Sequence, residues 1–176
     1  MSDLPSLSSL SNLPSRFRLP DGYGWQWGSE SDRPCLEQWL VAAYAELHPE
    51  QASFVHLTQT VAQYWSGAAG LLFWITQGSE RVAVVWQAMA LDQVTGDRYP
   101  HVLLLRVLPT HRRRGLGTAL MQAVQYQAEC EGYGQVGLQT FSHNAGAIAF
   151  YQHLGYQVHS VLLTKPLCNT PRCPGK

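Results

Sequence analysis

Between Arg106 and Val124 the chain reads RVLPTHRRRGLGTALMQAV: an apolar run, Pro109, three arginines, then Gly115 and Gly117 ahead of a helical repeat. Those residue types at that spacing suit an anion. A strand that ends at Pro109 and a helix that opens at Gly115 leave loop N–H groups at a helix N-terminus, where aligned peptide dipoles place about half a positive charge. The glycines lack a β-carbon, so a ligand can reach the main chain, and Arg112, Arg113 and Arg114 add charge and forked donors. A pyrophosphate is the ligand this bend suits. The alternative is a solvated charge run followed by a glycine turn. Other nucleotide signatures fit worse, since there is no G-x-x-x-x-G-K-S/T and no complete G-x-G-x-x-G.

The surrounding pattern supplies a frame for such a bend. Tyr23 to Trp27 reads as a strand, and Ser31 to His48 as a helix capped by Asp32 or Ser31, with Pro34 in its first turn. A second helix runs from about Ser53 to Trp65. Leu71 to Thr76, the turn QGSE and Arg81 to Leu91 form a hairpin. His101 to Leu108 is apolar enough to be a central strand buried on both faces. Leu116, Leu120, Val124 and Ala128 repeat at helical spacing up to Gly132. Val136 to Phe141 reads as a strand, Asn144 to Leu154 as a helix closed by Gly155, and YQVHSVLLTKPL as a last strand. This order describes a mixed α/β layer sandwich in one domain, residues 21–167, with a flexible tail at 1–20 and a frayed end at 168–176.

Composition narrows the function classes. Twelve acidic residues balance twelve basic ones in 176 residues, which argues against a nucleic-acid binder working through a broad basic face. The four cysteines, Cys35, Cys130, Cys168 and Cys173, form no C-x-x-C pair and have no histidine at zinc-ligand spacing, so reduced thiols in a cytoplasmic protein and no metal site are expected. The apolar stretches are strand-sized, far below the about 20 residues that cross a bilayer. The first residues lack a basic region followed by an apolar core, so they do not read as a signal peptide. Their Ser, Leu and Pro content also suits a transit peptide, which Asp3 and the prolines disfavour.

Two blocks resemble the GNAT superfamily of N-acetyltransferases. The acetyl-CoA signature of that family, Q/R-x-x-G-x-G/A after an apolar strand, is matched by Arg112-Arg113-Arg114-Gly115-Leu116-Gly117. A second block, an asparagine, an alanine-rich helix, an aromatic-Tyr pair and a Gly-aromatic end, is matched by NAGAIAFYQHLGY, Asn144 to Tyr156. The resemblance implies a three-layer sandwich around a mostly antiparallel sheet, and acetyl-CoA as cosubstrate. It implies that the amides of Arg113 to Thr118 bind the pyrophosphate, and that Leu105, Arg106 and Val107 pair with the pantetheine arm, one N–H polarising the thioester carbonyl. Asn144 would hydrogen-bond the arm, and Tyr151 stands where the family keeps a general acid. The partner would be a primary amine, as a small molecule, a protein N-terminus or a lysine, acting on a monomer or homodimer.

The sequence departs from that pattern in two places. Five residues before the asparagine, where related protein-acetylating enzymes often place a basic glutamate, stands Gln139, whose amide cannot accept a proton. Water, Glu80, His101, His143 or an amine that arrives neutral must then serve. Beyond Tyr156 a single strand is legible in place of a closing hairpin, which leaves the acceptor side open or completed by a partner chain. Trp39, Trp65, Trp74 and Trp86 could line it, although tryptophans at such positions by default pack a core; His48 and Glu50, at the bend between the first two helices, stand where the resemblance implies acceptor selection, a solvated turn being the plainer reading. A non-catalytic acyl-CoA-binding module is the competing reading.

Overall fold

A computed structural model describes residues 17–65 and 72–166. They fall into two compact units divided between Gln139 and Thr140. The expectations for residues 1–16 and 167–176, and for Leu71, lie outside the described residues.

The first unit contains β1 (Tyr23–Trp27), α1 (Arg33–Leu47), α2 (Leu57–Tyr64), β2 (Leu72–Gln77), β3 (Glu80–Leu91), β4 (Arg98–Val107), α3 (Leu116–Cys130) and β5 (Gly137–Leu138). The sheet order is β1-β2-β3-β4-β5; the first three pairings are antiparallel and β4–β5 is parallel. Strand β3 is central, with Val82 to Ala88 buried throughout. Because side chains alternate across a pleat, Val84 and Trp86 join Leu36, Leu40, Leu57 and Val61 of α1 and α2 in one core. Gln87 points to the opposite layer, where its amide donates to Gln127 of α3 at 3.0 Å. Helix, sheet and helix thus form an α/β sandwich.

The local starts follow from chemistry that differs in detail from expectation. Asp32 is the N-cap residue of α1, but its side chain makes no cap hydrogen bond to that helix. Its carboxylate accepts from the Ser29 N–H at 2.7 Å and pairs with Arg81 at 2.5 Å, so it ties a 3-10 turn, Glu30–Asp32, to the sheet. Phe54 is buried but precedes α2, which begins at Leu57. Phe17, inside the segment read as tail, offers its carbonyl to Trp25 Nε1 at 3.1 Å and its ring to Tyr126.

Three strand expectations need correction. β4 is not buried on both faces: it starts at Arg98 and alternates buried with half-buried residues, because it is flanked by only two residues of β5. The strand expected at Val136 to Phe141 shrinks to Gly137–Leu138. In the second unit, α4 (Ala145–His153) matches its expected span and ends at Gly155, which takes the left-handed φ of +89°. The last strand expected there is absent: residues 157–166 have no regular structure, and Val158, Val161, Leu162 and Leu163 are exposed. Strand propensity is realised only where a neighbouring strand and a buried face exist.

Candidate active site

The bend between β4 and α3 has the backbone its sequence requires. Pro109–His111 form a 3-10 turn, Arg113 takes φ +63°, and Gly115, the N-cap of α3, takes φ +80°. A left-handed conformation costs a non-glycine residue about 1–2 kcal/mol, so Arg113 carries local strain of the kind found at ligand sites, while Gly115 takes its positive φ without that cost. No side chain caps the helix. The first rung of its ladder is Ala119 N–H to Gly115 C=O at 3.0 Å, which leaves the N–H groups of Gly115, Leu116, Gly117 and Thr118 without an intrahelical acceptor. A β-carbon built on Gly115 would meet no protein atom within 4 Å, so the space beside this residue at the start of the helix is open. Leu116, by contrast, is fixed by a side chain buried under the sheet. A diphosphate fits this donor set.

Ahead of the bend, β4 breaks its register with β3. Leu104 lies opposite Trp86 and Val102 opposite Gln87, so Leu103 is an extra, bulged residue. Pairing with β5 ends at the same point, Val102 with Leu138, and leaves Leu103 to Val107 with no strand on that side among the described residues. The bulge also changes which side chains share a face. His101, Leu104 and Arg106 are opposite Ala88, Trp86 and Val84, which alternate on the α1–α2 side of β3. In an unbroken strand residues 101 and 106 would face opposite layers.

His101 is half-buried between Ala88 and Gly137, with Tyr99 beside it at 6.2 Å between ring centroids. A β-carbon on Gly137 would stand 3.1 Å from His101 Nδ1 and 2.5 Å from a Tyr99 ring carbon, so a glycine is needed there. Nδ1 is buried and has no hydrogen-bond partner among the described residues. Burial holds the imidazole below its ordinary pKa of 6.5, which keeps it neutral at pH 7.

The arginines divide into two kinds. Arg113 and Arg114 are exposed. Arg112, expected to serve an anion, is turned to protein groups: Nε donates to the Val107 carbonyl at 3.1 Å, and a terminal nitrogen donates to Glu46 of α1. Glu46 also pairs with Arg106 at 3.8 Å, and the Arg106 guanidinium lies over the Trp39 ring at 5.1 Å. Sequence reasoning missed Glu46, which sits 66 positions from Arg112 and carries no local signal.

The remaining candidates scatter. In the second unit Asn144 is the N-cap of α4, its Oδ1 accepting from the Ala147 N–H at 3.1 Å. Tyr151 lies in the same helix, edge-on to Phe150 and Tyr156, and burial followed by the nearby Tyr156 pushes its pKa up to about 12. His143 is exposed and stacks on Phe141. In the first unit, Glu80 and Gln139 are exposed, and His48 meets Glu50 at 3.3 Å on the surface. Trp74 and Trp86 are core residues with no more than 1% exposure, while Trp39 and Trp65 are partly buried.

The strand, the uncapped glycine bend and the helix that follows it belong to an α/β sandwich that known proteins share. Residues 23–156 match the Acetyltransferase (GNAT) family. The chain belongs to that family. It is 28% identical to mouse N-acetyltransferase family 8 member 7 over 124 residues, covering 69% of this chain and 54% of that protein. It is 25% identical to the mycothiol acetyltransferase of Renibacterium salmoninarum, covering 87% and 43%. The chain thus spans about half the length of the curated relatives it matches. Its fold matches a putative acetyl transferase from Pyrococcus furiosus with TM-score 0.60 at 22% identity, over 82% of this chain and 99% of that one. It also matches AAC(6')-Iy in complex with the bisubstrate analogue CoA-S-monomethyl-acetylneamine, with TM-score 0.58 at 19% identity over 83% and 99%.

Proposed function

We propose that this chain binds acetyl-CoA and a primary amine together and moves the acetyl group directly from sulfur to nitrogen, with no acyl-enzyme. The observation that carries the reading is the corner itself: an uncapped helix N-terminus at a left-handed glycine, following a strand whose outer edge opens at a bulge. The amides of Arg113 to Thr118 take the pyrophosphate. The main chain of Leu105, Arg106 and Val107 pairs with the pantetheine arm, and one N–H polarises the thioester carbonyl. Asn144 and Tyr151 contribute, as the family resemblance implies, a contact to the arm and a donor to the sulfur. The names of the curated relatives support N-acetylation; the acceptor class stays broad, a small amine or a protein N-terminus or lysine. The free thiols of Cys35 and Cys130 suit a cytoplasmic setting.

A lysine-like ammonium, of pKa about 10.4, must lose a proton before it attacks. Among Glu80, His101 and His143 we assign this step to His101, the neutral and partly buried imidazole on β4 beside the open edge. Attack forms the C–N bond, and collapse of the tetrahedral intermediate breaks the C–S bond. The second nitrogen proton, released as the amide forms, balances the departing thiolate. Tyr151, with a pKa of about 12, stays protonated and donates a hydrogen bond to the sulfur; ionising it to protonate a thiolate of pKa about 8.5 outright would be uphill.

The test is release of CoA thiol from acetyl-CoA with a panel of amines and peptides. Turnover with at least one amine is expected. Tyr151→Phe should lower kcat about a hundredfold, and His101→Gln should lower kcat/KM and remove an acid limb lying below pH 6.5. Binding of the cofactor with no turnover by any acceptor would establish instead the acyl-CoA-binding module that Gln139 favours.

A further inference from the structure

We infer that Glu46 and Arg112 form a clamp that sets the corner, so that Arg112 is a positioning residue and not a phosphate ligand. The inference rests on the acetyl-CoA reading of the same corner. Three contacts support it. Arg112 reaches back five residues to the Val107 carbonyl, the last residue of β4, and so fixes where the open strand edge ends. Its other arm is held by Glu46, on a different layer of the sandwich. Glu46 meanwhile stands between two cations: Arg106, with its side chain 14% exposed, and Arg112, with 45%. Arg106 Nε is buried with no hydrogen-bond partner among the described residues, and after burial and the opposing pull of Glu46, the charge of Arg112 bears on the guanidinium. Two guanidinium groups share one carboxylate, and that carboxylate is what allows both to remain close.

The consequence is a sign. If Arg112 were a phosphate ligand restrained by Glu46, removing the Glu46 charge would free it and tighten CoA binding. If the pair is a clamp, the same change leaves Arg106 and Arg112 repelling each other, shifts the 3-10 turn at Pro109–His111 and misaligns the amides at Gly115, so binding weakens.

The experiment is calorimetric titration of the whole chain with CoA, together with steady-state kinetics, for wild type, Glu46→Gln and Arg112→Lys. Both side chains are partly exposed, so both variants should fold, which circular dichroism checks. The clamp predicts that Glu46→Gln raises Kd and the KM for acetyl-CoA by about three- to tenfold with kcat nearly unchanged. Arg112→Lys keeps the charge but loses the Nε donor and the fork, and should weaken binding to a similar degree. The double variant should be no worse than either single one. Unchanged or tighter binding in Glu46→Gln, or full retention in Arg112→Lys, overturns the clamp. A wild-type chain that takes up no CoA overturns the acetyl-CoA reading itself, a result separate from either.

Discussion

Two helices in this chain begin in opposite ways. α3 starts at a left-handed glycine with no side-chain cap, and α4 starts at Asn144, whose side-chain Oδ1 accepts from Ala147 N–H. Both ends carry the same partial positive charge. At α4 a side chain of the protein already satisfies one exposed donor; at α3 the first four N–H groups are left for a ligand. An uncapped end lowers helix stability, so its retention at a bend that also contains Arg113 at positive φ points to a binding role. The first helix is thus read as acting through its backbone and the second through its side chains.

The change that breaks this contrast most strongly is Gly115→Ala. At φ +80° an added β-carbon finds free space but an unfavourable backbone, a cost of about 1–2 kcal/mol. Relaxing that strain turns the amides of Leu116 to Thr118 away from a shared focus. Affinity for CoA should fall about five- to thirtyfold, measured by calorimetry, with a melting temperature lowered by a few degrees. Truncating Arg113 to alanine should do less, since the backbone carries the binding.

Asn144 sharpens the other half. Asn144→Ala removes the cap and should cost about 1 kcal/mol in a denaturant titration. Asn144→Asp keeps the capping oxygen, places a negative charge at a helix N-terminus, and should restore that stability. The two variants therefore separate the roles assigned to one side chain. A contact from its amide N–H to the pantetheine arm is lost in both, so KM for acetyl-CoA should rise in both, while only the alanine form is less stable. If Asn144→Asp binds acetyl-CoA as wild type does, Asn144 is a cap and nothing more.

How legible these features were follows from where their causes lie. Gly115 and Asn144 announce themselves because their conformational roles are local, written in one residue and its immediate neighbours. The bulge at Leu103 does not: HVLLLRVL is an uninterrupted apolar run, and the extra residue exists only by register with β3. That bulge decides that His101 and Arg106 share a face, so a central element of the site could not be read from spacing. Gly137 looks like an ordinary strand glycine until Tyr99 and His101 close over it. Glu46 was invisible for a related reason, being joined to its arginines across the fold. The last strand erred in the other direction: VHSVLL has the residues of a strand, but residues 157–166 lack a paired neighbour.

In stability, as distinct from turnover, Tyr151 gives the prediction with the smallest effect at neutral pH. Its pKa is raised from 10.0 to about 12, first by burial and then by Tyr156. A folded-state value above the unfolded one means that the native chain holds a proton the unfolded chain releases, so the associated stability is complete below pH 10 and is lost as pH rises toward 12. The pH dependence of stability should be the same in both forms between pH 6 and 9. Across pH 10 to 12 the wild-type chain should lose stability more steeply than Tyr151→Phe, and an ultraviolet titration of the native protein should lose one late phenolate in that variant. A Tyr151 that titrates near 10 in the folded chain would be solvated, which would remove the physical basis for a donor kept protonated in a dry part of the helix and leave the sulfur to be served by water.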